Sequence, residues 1–187
     1  MEKINKLRKI FKQFNIDGYI VPKNNNFFGE YVSKSEDNLK YISNFTGSAG
    51  FAIILKNKTF MFVDGRYTAQ AAIQCGKKYT IFTIPKQYPF NVFNSKNLNL
   101  GFDPRLHTDN SLNRLFKNSS IKLKPINENL IDFLWKRKKN SDVKPFYLIK
   151  DLDAGAKFEN KLSKLSKAIA INKVDYIFTT ASENIAW

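Results

Sequence analysis

An α/β domain, a mixed β-sheet covered by helices, is the fold this sequence predicts, and three observations predict it. Short β-rich apolar runs alternate with stretches whose apolar residues recur every three or four positions. Several of those runs are closed by proline. Two neighbouring runs, Phe51-Ala52-Ile53-Ile54-Leu55 and Thr59-Phe60-Met61-Phe62-Val63, are split only by Lys56-Asn57-Lys58, which marks a β-hairpin.

Taken in order, residues 3–14 carry Ile4, Leu7, Phe11 and Phe14 at helical spacing, and Asn15-Ile16-Asp17-Gly18 ends that helix. Tyr19-Ile20-Val21 reads as a short buried strand stopped by Pro22. A polar loop over 23–35 leads to a helical piece over 37–43 with Leu39 and Ile42 inward. The glycine-rich loop Asn44-Phe45-Thr46-Gly47-Ser48-Ala49-Gly50 enters the hairpin, and a helix opens at Asp64-Gly65 and runs to residue 75. Its alanines allow close approach to the sheet.

Thr80-Ile81-Phe82-Thr83-Ile84 and Leu98-Asn99-Leu100-Gly101-Phe102-Asp103 are strands closed by Pro85 and Pro104. A helix carrying Leu112, Leu115 and Phe116 follows, capped by Asn110 or Ser111. Ile121-Lys122-Leu123-Lys124 alternates as an edge strand does, and residues 128–138 read as a further helix. This gives a first domain over 1–140 and a polar, proline-bearing linker over 141–154. A helix carrying Phe158, Leu162, Leu165 and Ile169 and a strand over 174–180 come next. One helix and one strand cannot bury both faces, so residues 155–187 read as the truncated start of a second α/β domain.

Composition narrows the function classes. The 187 residues are 43% hydrophobic and 14% aromatic, enough for a real core, which excludes a disordered chain. The single cysteine, Cys75, has no internal disulfide partner, so a reducing cytoplasm is the expected location. No run approaches the roughly 20 apolar residues of a membrane span, and the first residues lack a secretory pattern. The net charge of +15 suggests nucleic acid, yet its lysines are scattered and accompany abundant asparagine, as in Asn24-Asn25-Asn26. That points to a compositional drift. The dense run Lys136-Arg137-Lys138-Lys139 ends a predicted helix, where cations complement the dipole.

Chemistry-bearing residues are sparse. One histidine, His107, cannot supply a metal hydrolase's ligand set, and a lone loop histidine is expected at the surface. Cys75 ends an alanine-rich helix and reads as a small apolar residue. Gly47-Ser48-Ala49-Gly50 lacks the nucleophile-elbow pattern. It matches the bare spacing of a KH-type RNA loop but runs into a strand and carries no positive charge. Asp64 and Asp103 each end a predicted strand and could share a sheet edge, the arrangement of a magnesium-dependent nuclease; the rival role for Asp64 is a helix cap. The alternatives kept open are thus a lysine-rich nucleic-acid binder and a small nuclease using Asp64 and Asp103.

One ordered set of motifs is more specific. Asp17-Gly18-Tyr19-Ile20-Val21-Pro22, the loop from Asn44 to Gly50, and Val63-Asp64-Gly65-Arg66-Tyr67 with Gln70-Ala71 are followed by Gly101-Phe102-Asp103-Pro104. Asn129-Leu130-Ile131-Asp132-Phe133-Leu134-Trp135 and Thr180-Ala181-Ser182-Glu183-Asn184-Ile185-Ala186-Trp187 complete the series. In that order along nearly the whole chain they resemble the amino-terminal region of Xaa-Pro aminopeptidases (aminopeptidase P), with a creatinase-type N-terminal domain. Asn24-Asn25-Asn26 departs from the more acidic stretch usual there.

The resemblance implies a non-catalytic portion of a metallopeptidase that removes the residue preceding an amino-terminal proline. It implies that the two divalent metals, manganese or zinc, and the catalytic residues belong to a pita-bread domain beyond this chain, so no catalytic or metal-binding residue is expected here. It assigns Arg66 to the substrate pocket, with a salt bridge or cap contact as the rival role. Asp64, Gly65, Tyr67, Gly47, Ser48 and Gly50 become supports of the motif. Expected partners are a second copy or a separate catalytic-domain chain, with peptide bound only in the full-length enzyme.

Overall fold

The computed structural model describes residues 2–29, 31–93, 97–137, 145 and 147–187. The chain divides into two compact units, residues 1–139 and 140–187. Most of residues 138–146, which hold part of the expected linker and the end of the basic run, lies outside the described residues.

The first unit is built on one six-stranded mixed sheet. Its strands are β1 (Gly18–Pro22), β2 (Gly50–Leu55), β3 (Thr59–Asp64), β4 (Thr80–Ile84), β5 (Asn99–Phe102) and β6 (Lys122–Pro125), in the order β4-β3-β2-β1-β5-β6. Helices α1 (Glu2–Ile10), α2 (Asn38–Ser43), α3 (Thr68–Cys75), α4 (Pro89–Phe93) and α5 (Asp109–Phe116) cover it. Only β2 runs antiparallel to its neighbours; β1, β3, β4, β5 and β6 are mutually parallel. Their carboxyl ends therefore gather at one edge of the sheet.

Strand alternation separates two cores. Tyr19, Val21, Ala52, Ile54, Met61 and Val63 face α1, α2 and α3 together with Leu7, Phe11 and Leu39. Ile20, Phe51, Ile53, Phe60 and Phe62 face the other way, against Phe93 and the Leu112, Leu115 and Phe116 stripe of α5. Both faces are covered, which explains why the central strands read as unbroken apolar runs.

Four expectations need correction. The first helix stops at Ile10, because Phe11, Gln13 and Asn15 donate to carbonyls three residues back and Asn15 takes a left-handed φ of 49°. The cap of α5 is Thr108, in a reciprocal capping box with Ser111, rather than Asn110 or Ser111. Residues 128–137 form no helix, and Lys138 lies outside the described residues. Buried Asn129 accepts from the Ile131 N–H and donates to Asp103, and the Leu130 N–H donates to the Tyr19 hydroxyl. Those side-chain bonds replace the helical ones and leave a tight turn. Helix α4 was not expected.

In the second unit, α6 (Asp151–Ala154) occupies part of the expected linker, and α7 (Phe158–Ile171) and α8 (Ser182–Ala186) follow. Residues 174–180 join no strand ladder among the described residues, correcting the predicted strand. A β-rich run becomes a strand only where a partner supplies hydrogen bonds.

A half-hidden ion pair fixes the loop after β1. Lys23 donates to Asp37 at 2.6 Å with side chains only 11% and 9% exposed, while Asp37 also caps α2 through the Lys40 N–H at 3.0 Å. Asp37→Ala removes the cap and strands a buried ammonium, so it is expected to cost about 3–5 kcal/mol in urea denaturation followed at Trp135 in a Trp187→Phe background. Thr108→Ala, which removes only a cap, is expected to cost about 1 kcal/mol in the same assay.

Candidate functional site

The carboxyl edge of the sheet gathers the motif residues. Asp64 ends β3 and caps a short 3-10 turn, Gly65–Tyr67, that leads into α3. Its carboxylate accepts from the Arg66 N–H and from Arg66 Nε, each at 2.9 Å, and these bonds hold it below the usual carboxylate range. Arg66 keeps its side chain 73% exposed, with Asp64 its only charged partner among the described residues. A guanidinium carries five N–H donors. The fork to Asp64 therefore leaves several free, and the cap contact and a capacity to bind coexist.

The loop over 44–50 is stapled to α3 beside this fork. Ser48 Oγ and the Tyr67 hydroxyl share a hydrogen bond of 2.8 Å, and the Tyr67 ring packs edge-on against Phe45. Thr46 Oγ1 accepts from Gln70 and Gln74, each at 2.9 Å. Its two glycines are required by close approach. A Cβ on Gly47 would sit 2.3 Å from the Phe45 ring, and one on Gly50 would sit 2.9 Å from the Phe62 carbonyl oxygen of the paired strand. The loop lies between α2 and β2, not between two helices, so the KH-type reading has no structural counterpart.

Asp64 and Asp103 do lie at the same edge, but β2 and β1 stand between their strands, a separation of about 14 Å at ~4.8 Å per strand. They form no carboxylate pair, which corrects the nuclease alternative. Instead, each carboxylate clasps its own arginine two residues on. Asp103 accepts from the Arg105 N–H and Nε, each at 3.0 Å, and from Nη2 at 2.8 Å. The two Asp-x-Arg forks differ in depth: Asp103 is 1% exposed and also accepts from Asn129 at 3.1 Å. The repeated spacing could have signalled this twin in the sequence.

His107 is not the surface residue expected. Its ring packs edge-on against Phe102 at 5.7 Å, and its Nε2 is buried with no hydrogen-bond partner among the described residues. Burial pushes the imidazole down to about 4, with the Asp103 carboxylate partly opposing the shift. Cys75 is buried as expected, and burial pushes its thiol up to about 11.

Among the described residues, no three His, Cys, Asp or Glu side chains come together to hold a metal ion. No helix among the described residues is long and apolar enough to cross a membrane.

The family model that matches residues 3–132 is the creatinase/prolidase N-terminal domain. A probable Xaa-Pro aminopeptidase P from Coprinopsis cinerea is 29% identical over 191 residues, covering 97% of this chain and 31% of that protein. Its counterpart in Laccaria bicolor is 30% identical over 198 residues, covering all of this chain and 30% of that protein. The chain thus spans about a third of the length of these relatives. Among solved structures, the X-prolyl aminopeptidase of Caenorhabditis elegans, described as a cytosolic enzyme with a di-nuclear active site, matches with a TM-score of 0.73 at 23% identity. That match covers 93% of this chain and 32% of the other. The Xaa-Pro dipeptidase of Bacillus anthracis matches with a TM-score of 0.58 at 26% identity, over 76% of this chain and 38% of that one.

Two measurements test this edge. His107 stays neutral in the folded state where the unfolded chain, with a histidine pKa of about 6.5, takes up a proton; stability therefore rises with pH from about 4 to 6.5 and is lost on acidification. Urea denaturation is expected to show a loss of about 3 kcal/mol across that window, flattened in His107→Gln. Asp103→Ala, which orphans buried Asn129, is expected to cost about 2–3 kcal/mol, whereas Asp64→Ala at the exposed fork removes only a cap and is expected to cost about 1 kcal/mol.

Proposed function

Because the chain belongs to the creatinase/prolidase N-terminal domain family, we propose that it is the non-catalytic amino-terminal portion of an Xaa-Pro aminopeptidase. In this reading it carries no peptide-cleaving centre of its own and lends Arg66 to the substrate pocket. The whole enzyme's activity is the metal-dependent removal of the residue before an amino-terminal proline, and the metals are held by the catalytic domain. The peptide meets Arg66 only when that domain is supplied, by the same polypeptide or by a partner chain.

The observation that carries this reading is the fork at the end of β3. An exposed guanidinium, oriented by Asp64 and by its approach to the Tyr67 ring at 5.5 Å, offers its remaining donors at the carboxyl edge of the sheet. Such an arginine can grip a peptide carbonyl or carboxylate in a forked geometry that lysine does not reproduce. Ser48 supports it indirectly through Tyr67, and Gly47 and Gly50 let the loop pass close enough to do so.

Incubated with Mn²⁺ and the peptide Arg-Pro-Pro, the purified chain is expected to release no arginine. With the catalytic domain supplied, Arg66→Ala is expected to weaken peptide binding by more than tenfold and Arg66→Lys by about tenfold. Manganese-dependent release of arginine by the chain alone, or an Arg66→Ala variant that binds the peptide normally beside the catalytic domain, overturns the reading.

A further inference from the structure

A cleft of about 290 Å³ opens at the same carboxyl edge, on the α5 side of the sheet. Its floor is apolar: Phe51 and Phe62 stack with ring centres 5.0 Å apart, and Ile84 and Leu115 line it beside them. Its rim carries Asp64, Arg114, Tyr88, Asn24 and the His107 ring. At that volume it sits at the small end of ligand pockets, room for one side chain and a chain end rather than a folded partner.

The charges at the rim select the ligand. Arg114 has an exposed side chain and no hydrogen-bond or ion-pair partner among the described residues. The one carboxylate of the rim, Asp64, is already neutralised by Arg66. His107 stays uncharged at neutral pH. The Tyr88 hydroxyl has no bonded partner among the described residues, and Asn24 spends its amide N–H on the Leu106 carbonyl, which leaves its side-chain oxygen free to accept. An apolar floor below an unpaired guanidinium, a phenolic O–H donor and an amide acceptor matches a group that is apolar, anionic at its end and linked through a peptide N–H.

We propose that this cleft binds the carboxy-terminal residue of a short peptide, with its apolar side chain on Phe51 and Phe62 and its carboxylate on Arg114 and Tyr88. The proposal rests on the reading that the carboxyl edge faces peptide. It adds a substrate class to that reading: short peptides with a free carboxyl terminus and an apolar last residue. Asn24 accepts the last peptide N–H, which a fatty acid lacks.

The test is an NMR titration of the 187-residue chain with N-acetyl-Gly-Phe, its carboxy-terminal amide and octanoate. N-acetyl-Gly-Phe is expected to shift the Gly50, Ile84 and Leu115 amide resonances saturably, with the amide form and octanoate each binding about tenfold more weakly. Arg114→Glu at its exposed position is expected to remove the preference for the free acid, and Tyr88→Phe to reduce it. Arg66→Ala is expected to leave these shifts intact, so the cleft and the role of Arg66 fail separately. No saturable shift at those amides up to about 10 mM, or equal affinity for acid and amide, overturns the proposal. Octanoate binding as tightly as the dipeptide overturns the peptide assignment.

Discussion

Five strands of the sheet point one way, and β2 has to run back between two of them. That return passes the chain across the carboxyl edge at residues 44–50, where neighbouring main chain leaves almost no room. Gly50 lies against the Phe62 carbonyl of β3, and Gly47 lies under the Phe45 ring. Protein interiors are packed too densely to absorb even one extra methyl at such distances without displacement. Once the loop is pressed there, Ser48 reaches Tyr67 and Thr46 reaches Gln70 and Gln74. The turn carrying Arg66 is thereby held from two sides, by the end of β3 and by the loop that enters β2.

The same local chemistry serves two purposes at that edge. Asp64 and Asp103 both cap a 3-10 turn and both clasp the arginine two residues on. At Asp103 the carboxylate is enclosed and shared with Asn129, which ties β5 to the turn after β6. A buried acceptor with four donated hydrogen bonds is a fastening whose loss leaves polar groups unsatisfied. At Asp64 the fork is open to water, where an ion pair adds little stability because solvent competes for both charges. Orientation of the guanidinium is what that pair can supply, so depth alone separates a structural fork from one able to meet a ligand.

How much of this was legible follows from the range of the forces involved. The hairpin, the α7 stripe and the strands closed by Pro22, Pro85 and Pro104 depend on local periodicity and turn chemistry, and all appear near their expected positions. The supports around Arg66 were legible as a motif, because glycines and a capping aspartate act within a few residues. What escaped depends on contacts distant in sequence. Residues 128–138 have a helical pattern, but Tyr19, 111 positions away from Leu130, takes one of the N–H groups that a helix would use. His107 is half-buried against Phe102 with its Nε2 enclosed, which no single-residue expectation contains. Residues 174–180 have the composition of a strand and no pairing partner among the described residues. The separation of Asp64 from Asp103 likewise depends on strand order, and order is a property of the whole sheet.

A last constraint comes from proton chemistry. General acid–base catalysis needs a group whose pKa lies near the working pH, so that both forms are populated. Four enclosed groups have been moved away from that range: the half-buried His107 down to about 4 and Cys75 up to about 11, with the Tyr19 and Tyr79 hydroxyls also pushed up by burial. Burial favours the neutral form of each. Reachable cations at the edge include the guanidiniums of Arg66 and Arg114, which cannot exchange a proton under physiological conditions. Permanent cations beside an apolar floor hold and orient anions and carbonyls well but move no protons. Grip and alignment are what these two guanidiniums contribute at this edge.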